Sequence, residues 1–261
     1  MTATPGAVGI VLLYPDLLGT YGDSGNATIL AQRLRWRGRE AEVVTVLSGD
    51  PVPESADVYV VGGGEDLPQA LAARQLGAGS GNGPLHRAVE GGAAVLAVCA
   101  GLQILGTSFV GPDGTRADGL GLLDCVSVQG RGRRAVGELV VEPDPGLDVP
   151  VLTGYENHGG VTTLGPGARP AGRVRSGVGN GDGVDGALHG RIVGTYLHGP
   201  VLARNPGLAD RLLSSVVGPL EALDDADSDV LRAERLAVAA SQASPAGPAG
   251  RRRRLLARAR R

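Results

Sequence analysis

The sequence contains no lysine: all 25 basic residues are arginine. That excludes a Walker-type phosphate-binding lysine and any Schiff-base mechanism. Aromatic residues make up only 3%, with one Phe and one Trp, and the only Met is the first residue. A core must therefore be built mostly from Val, Leu and Ala. The two cysteines, Cys99 and Cys125, are too few for a cysteine-ligated metal quartet. No apolar run reaches the roughly 20 residues of a membrane-spanning helix. The first residues lack the basic-then-apolar pattern of an export signal, so a reduced, cytoplasmic protein is expected. A formal net charge of -2 argues against a general nucleic-acid binder, which needs a basic surface.

Glycine is abundant, with 44 residues, and proline numbers 17. The 261 residues suffice for one or two domains. The most informative stretch is Gly91-Gly92-Ala93-Ala94-Val95-Leu96-Ala97-Val98-Cys99-Ala100-Gly101-Leu102-Gln103. Ala93 to Val98 reads as a fully buried parallel strand. Cys99 ends it, and residues 101–106 read as the first turns of a helix. A side chain at such a turn stands at the carboxyl edge of the sheet, beside free backbone N–H groups. Cys99 is thus either a thiolate nucleophile or a buried structural cysteine. Cys125 lacks such a turn and reads as structural.

Other strands are expected at Val8 to Leu13, Ala41 to Leu47, Asp57 to Val61, Cys125 to Val128 and Val136 to Glu142. Helices are expected at Ala27 to Trp36, Pro68 to Leu76, Leu85 to Glu90 and Asn205 to Val217. The polar loop 14–26 follows the first strand, where open α/β sheets place their ligands. Its Asp16 and Asp23 either orient a catalytic group or cap the following helix. Gly62-Gly63-Gly64-Glu65-Asp66 follows a buried strand and suits an anion or oxyanion pocket, or a plain tight turn. It lacks the spacing of a dinucleotide fingerprint. Arg131, Arg133 and Arg134 form a compact basic loop, either a solvated face or a carboxylate clamp. His158 lies in Tyr155-Glu156-Asn157-His158-Gly159-Gly160. His198 ends a strand at Gly194-Thr195-Tyr196-Leu197-His198-Gly199-Pro200 and is the preferred base for a cysteine elsewhere in the chain. Residues 165–190 are glycine-dense and predict hairpins and loops.

Val98-Cys99-Ala100-Gly101-Leu102-Gln103 resembles the nucleophile turn of class I glutamine amidotransferases, in the cobyric-acid-synthase-like branch. The two histidine stretches resemble that branch's later motifs. Tyr14-Pro15-Asp16 with Tyr21-Gly22-Asp23-Ser24-Gly25-Asn26, and the 62–66 loop, resemble the GatD-type glutaminase subunits of lipid II isoglutaminyl synthases. The resemblance covers about residues 8 to 215. It implies an α/β fold built on an open, mostly parallel sheet with flanking helices. It assigns an amidotransferase domain to 1–218; beyond it, the mixed charged and apolar pattern reads as a helical extension at 219–240, and the small residues and arginine run as a linker and arginine-rich tail at 241–261, expected to be disordered.

The resemblance further implies that Cys99 and His198 hydrolyse glutamine. Backbone N–H groups near Gly63, Gly64 and Ala100 would form the oxyanion hole, and Arg133, with Arg131 or Arg134 as alternatives, and Gln103 would bind substrate. The wider class carries a glutamate two residues after the histidine; here that position is Pro200. The third member is therefore open, with Glu156 and Asp16 as candidates and a Cys-His dyad as the alternative. The ammonia would pass to a MurT-like Mur-ligase-family partner, a heterodimer being expected. That partner would hold ATP and magnesium and amidate D-glutamate of the lipid II stem peptide; this chain itself would need no cofactor or metal. Two alternatives stand beside this: amidation of another acceptor such as a corrin, and a non-catalytic binding protein. The tail 251–261 holds seven arginines and leaves the rest of the chain acidic, so contact with an anionic membrane at its inner face is a further expectation.

Overall fold

The computed structural model describes residues 6–111 and 113–243. The arginine-rich segment lies outside them, and with it the expectations for the tail. The first half alternates strands and helices: β1 (Val8–Leu13), α1 (Pro15–Leu18), α2 (Gly25–Arg35), β2 (Ala41–Val46), β3 (Val58–Val61), α3 (Asp66–Gln75), α4 (Pro84–Glu90), β4 (Ala94–Val98) and α5 (Ala100–Leu105). An all-β stretch follows: β5 (Ser108–Val110), β6 (Arg116–Asp118), β7 (Cys125–Gln129), β8 (Ala135–Pro143), β9 (Leu152–His158), β10 (Gly160–Leu164), β11 (Gly172–Ser176) and β12 (Val184–Asp185). The chain then returns through β13 (Ala187–His189) and β14 (Ile192–Thr195) to α6 (Val201–Arg204), α7 (Pro206–Val217) and α8 (Ala226–Ala243).

The central sheet has the order β13-β14-β4-β3-β1-β2. Its strands are parallel except β13, which pairs antiparallel with β14. β1, β3 and β4 are buried at every residue. That is why their sequences are continuous apolar runs without alternation: both faces of a parallel sheet are covered. β2, at the edge, is half exposed. The core is mostly Leu, Val and Ala. Two of its buried tyrosines keep their hydroxyls bonded, Tyr59 to Pro53 O at 2.6 Å and Tyr196 to Thr162 at 2.7 Å.

The expectation of one open, mostly parallel sheet holds for this central layer and not for the rest. The insertion between α5 and β13 builds two further four-stranded sheets, β10-β7-β5-β6 and β12-β11-β8-β9. The first is mixed and the second antiparallel. The fold is therefore α/β with mixed sheets. α8 lies along β8, β9 and β11. Its start is anchored by Asp225, which bonds buried Arg33 of α2; Arg33 also grips Asp210 of α7 through two nitrogens.

β1 sends one connection outward to β2, while β3 lies on its other side, so the strand order reverses there. Ligands in open α/β sheets bind outside the carboxyl ends of strands at such a reversal. The segments that follow β1, β3, β4 and β14 all emerge at that edge, from four adjacent strands.

Candidate active site

Cys99 follows β4 directly and opens α5, with φ 52 and ψ -103. This is a strained conformation for a residue with a side chain, costing on the order of 1–3 kcal/mol. It is held by the Cys99 N–H donating to Thr195 O of β14 at 2.8 Å and by Gln103 N donating to Cys99 O at 3.1 Å. The next turn must come very close to β3: a Cβ on Gly101 would meet Val61 O at 2.5 Å. Glycine at 101 is what lets the turn sit against the sheet. Cys99 is only 6% exposed. Burial, and secondarily the charge of Asp23, push its thiol up to about 12, against a partial opposing pull from the Ala100 N–H and Arg134. The resting group is therefore a thiol, which needs a base. Cys125 is also a free, buried thiol, set in β7.

His198 supplies a base beside it. Its backbone is clamped by two bonds with Tyr155, 2.7 and 3.1 Å. Its ring is fully buried, and Nδ1 lies 2.9 Å from Asp23 Oδ2. Nε2 has no hydrogen-bond partner among the described residues. The Gly63 position shows how close these groups are: a Cβ there would lie 2.6 Å from His198 Cε1, 3.1 Å from Asp23 Oδ2 and 3.4 Å from Cys99 Cβ. Any side chain at 63 would fill the space between the base and the nucleophile.

The acid that orients His198 is thus Asp23. The two triad candidates from the sequence are engaged elsewhere. Asp16 is exposed and bonds Ser48 through its hydroxyl and its N–H. Glu156 is buried, accepts from the N–H groups of Val178 and Gly179, and lies 3.3 Å from His158 Nε2. It braces the β9 region, because a buried carboxylate needs such donors. His158 stacks on Tyr196 with ring centroids 3.9 Å apart and makes no bond to Cys99 or His198.

The expected oxyanion donors are corrected at one position. The Gly63 N–H is spent on Asp23 Oδ2 at 2.9 Å. The Ala100 N–H stands by the Cys99 sulfur, and no hydrogen bond occupies the Gly64 N–H among the described residues. The adjacent arginines of the 131–134 loop sit differently. Arg133 is exposed and its side chain makes no hydrogen bond among the described residues, whereas Arg134 reaches the site edge. Its Nε donates to Asn157 Oδ1 at 2.5 Å, and one terminal nitrogen donates to Asn157 O and to the Tyr21 hydroxyl. Tyr21 in turn lies over His198 with ring centroids 4.7 Å apart and donates to Glu65 at 2.9 Å. Gln103 has its amide taken by Gln69, at 2.9 Å, and by Tyr196, at 3.0 Å, so it belongs to the floor beneath the nucleophile.

The sequence marks these loops and offers Arg134 beside Arg131 and Arg133, but it gives no sign that Tyr21 and Gln69 lie at the site. It left Asp23 undecided between orienting and capping. One local cue bears on Asp23: its side chain makes no bond to the start of α2, whose N-cap is Ser24.

A glutamine amidotransferase domain described as CobB/CobQ-like matches residues 9–206. The lipid II isoglutaminyl synthase (glutamine-hydrolyzing) subunit GatD of Staphylococcus aureus (strain N315) is 37% identical over 201 residues, 76% of this chain and 79% of its own length. The subunit of the same name from Streptococcus pneumoniae (strain ATCC BAA-255 / R6) is 32% identical over 216 residues, 82% of each. A cobyric acid synthase of Sphingopyxis alaskensis is 33% identical over 183 residues, but this chain spans only 35% of its length. A crystal structure of a glutamine amidotransferase superposes with a TM-score of 0.53 at 22% identity, covering 81% of this chain and 100% of that one. The glutaminase domain of Trypanosoma brucei CTPS does so with 0.51 at 9% identity, over 83% and 96%. Both share the fold. The matched domain runs from β1 to the start of α7 and so contains every residue of the site; the chain belongs to the CobB/CobQ-like class I glutamine amidotransferases.

Proposed function

We propose that this chain is the glutamine-hydrolysing subunit of a lipid II isoglutaminyl synthase. The chemistry is carried by one observation: Cys99, on its strained turn, and the His198–Asp23 pair flank a single point at the carboxyl edge of the sheet. His198 Nε2 takes the thiol proton, and the Cys99 sulfur attacks the side-chain carbonyl carbon of glutamine. The N–H groups of Ala100 and Gly64 donate to the oxyanion as it forms. The carbon–nitrogen bond then breaks, His198 returns its proton to the leaving nitrogen, and ammonia departs from a thioester. Water, deprotonated by His198, attacks the thioester; the carbon–sulfur bond breaks, glutamate leaves and the thiol is restored. Asp23 keeps the imidazole oriented and stabilises its cationic form. Arg134 offers the planar fork for the α-carboxylate of glutamine.

The acceptor is supported by the two GatD relatives, which align over about four fifths of both chains. On that reading a MurT-like Mur-ligase-family partner, in the cytoplasm, holds ATP and magnesium and receives the ammonia. The cobyric acid synthases favour a corrin-type acceptor but match this chain over about a third of their own length. The deciding experiment is amidation of lipid II from glutamine by the chain with and without the Mur-ligase-like candidate. Amidation that needs both proteins and is lost in Cys99→Ala supports the proposal. Glutamine hydrolysis with no transfer to lipid II would move the acceptor elsewhere.

A further inference from the structure

The resting site is shut. Cys99 is 6% exposed and His198 0%, so glutamine cannot touch either without displacing a neighbour. Several of the walls are closely packed or tied by backbone bonds. A Cβ on Gly62 would meet Leu18 O at 2.1 Å, which shows how tightly the 62–64 loop is packed on the end of α1. The Cys99 turn is tied to β14, and Tyr155 is paired through its backbone with His198.

Tyr21 is different. It sits in the turn between α1 and α2, half-buried. The residue after it, Gly22, has φ +75 and no atom near its Cβ position. The Tyr21 ring covers the His198 ring at 4.7 Å. Among the described residues its hydroxyl is held by two exposed side chains: it donates to Glu65 Oε1 at 2.9 Å and accepts from Arg134 at 3.3 Å. Such solvent-exposed bonds exchange readily with water. The Arg134 guanidinium, whose other bonds go to Asn157, is thus open to competition between the Tyr21 hydroxyl and a ligand acceptor. A ligand carboxylate is a stronger acceptor than a neutral phenol and pairs with the guanidinium fork through two bonds.

We propose that Tyr21 is a gate over the Cys99–His198 pair, latched by Glu65 and Arg134, and that a substrate carboxylate arriving at Arg134 releases it. This rests on the glutaminase reading for the identity of the carboxylate, though the gate itself is measurable without any substrate. Its effect is to shelter the thiol until a ligand with a correctly placed carboxylate is present. A closed resting state lowers apparent affinity by the fraction of molecules that are open, so unlatching lowers KM.

The test is site-resolved alkylation of the full chain by iodoacetamide, read by mass spectrometry, with Cys125 as the internal reference for general loosening. Tyr21→Phe keeps the ring and removes the latch; Tyr21→Ala removes the cover. The expected result is alkylation of Cys99 about tenfold faster in Tyr21→Phe and faster still in Tyr21→Ala, with the Cys125 rate unmoved. Glutamine hydrolysis by the complex with its partner then shows a lower KM in Tyr21→Phe, with the change carried by KM rather than kcat. Wild-type Cys99 rates in both variants, or Cys125 accelerating in parallel, would overturn the gate. If Cys99 is unlatched as expected while no form of the chain hydrolyses glutamine, the gate stands and the glutaminase reading falls. If the wild type hydrolyses glutamine while the Cys99 rates do not move, the reverse holds.

Discussion

Asp23→Asn separates the orienting acid from the nucleophile it serves. In the folded chain one oxygen, Oδ2, accepts from both His198 Nδ1 and the Gly63 N–H, while Oδ1 is buried without a partner. An asparagine can place its amide oxygen where Oδ2 was, so both bonds survive and the fold is spared. What disappears is the negative charge opposite an imidazole that must become cationic during the reaction. A charged hydrogen bond is worth about 1.5–3 kcal/mol, and a neutral one about half that or less. Losing the charge assistance together with the buried countercharge costs about 2–3 kcal/mol at the transition state, a fall of roughly 30- to 150-fold in kcat/KM for glutamine. The same substitution removes a charge that raises the Cys99 thiol, so thiolate forms at lower pH. Turnover and sulfur reactivity therefore move in opposite directions. Steady-state glutaminase assays measure the first, and iodoacetamide rates at Cys99 across pH 7 to 10 measure the second. Asp16→Asn is the comparison, expected within about twofold of wild type, because that carboxylate serves only Ser48 at the surface. Unchanged turnover in Asp23→Asn, or a Cys99 alkylation profile displaced to higher pH, would refute the assignment.

Three further outcomes are expected. Arg134→Ala lowers kcat/KM for glutamine by a factor equivalent to about 2 kcal/mol and has much less effect when ammonium is supplied directly to the complex, while Arg133→Ala leaves both close to wild type; kinetics with each nitrogen source checks this. Arg33→Met strands Asp225 and weakens the anchorage of α8, costing about 2–3 kcal/mol in chemical denaturation, with part regained in Arg33→Met/Asp225→Asn because the unpaired charge is then gone. Burial raises Asp185 from 3.8 to about 6, so between those values the folded chain holds a proton that the unfolded chain has released. Its contribution is complete below about pH 4 and is lost as pH rises through 6. Wild-type stability relative to Asp185→Asn therefore falls by about 3 kcal/mol across that window in denaturation curves taken from pH 4 to 7.

The central layer was legible because its strands are buried on both faces. The apolar runs at Val8 to Leu13 and Ala94 to Val98 need no partner to be recognised, and a cysteine or histidine ending such a run announces the active edge. The two side sheets were not legible in the same way. Between residues 108 and 190, strands of two to nine residues separated by glycines carry too short a pattern for pairing or register to be read. The side-chain roles within the loops were harder still. Asp16 and Asp23 lie seven positions apart in one loop, and only the crossing of β14 beside β4 puts His198 over the second of them. Arg133 and Arg134 are adjacent, and which one turns inward is fixed by Arg134 finding Asn157 at the end of β9. Both choices depend on contacts between residues distant in sequence, to which local composition is blind.

The order of strands in the central sheet also has a consequence for how the chain becomes reactive during synthesis. Asp23, Gly63 and Cys99 leave the ribosome early, in the segments that follow β1, β3 and β4, strands that can pair as they appear. His198 follows almost a hundred residues later, after both side sheets. Because domains are completed from the amino end onward, a nascent chain passes through a long interval with its nucleophile in place and its base not yet made. Until β14 arrives the Cys99 turn lacks its bond to Thr195 O and the thiol lacks His198, so the half-built protein can neither consume glutamine nor release ammonia before β14 closes against β4. Inserting the base last makes completion of the fold and onset of chemistry one event.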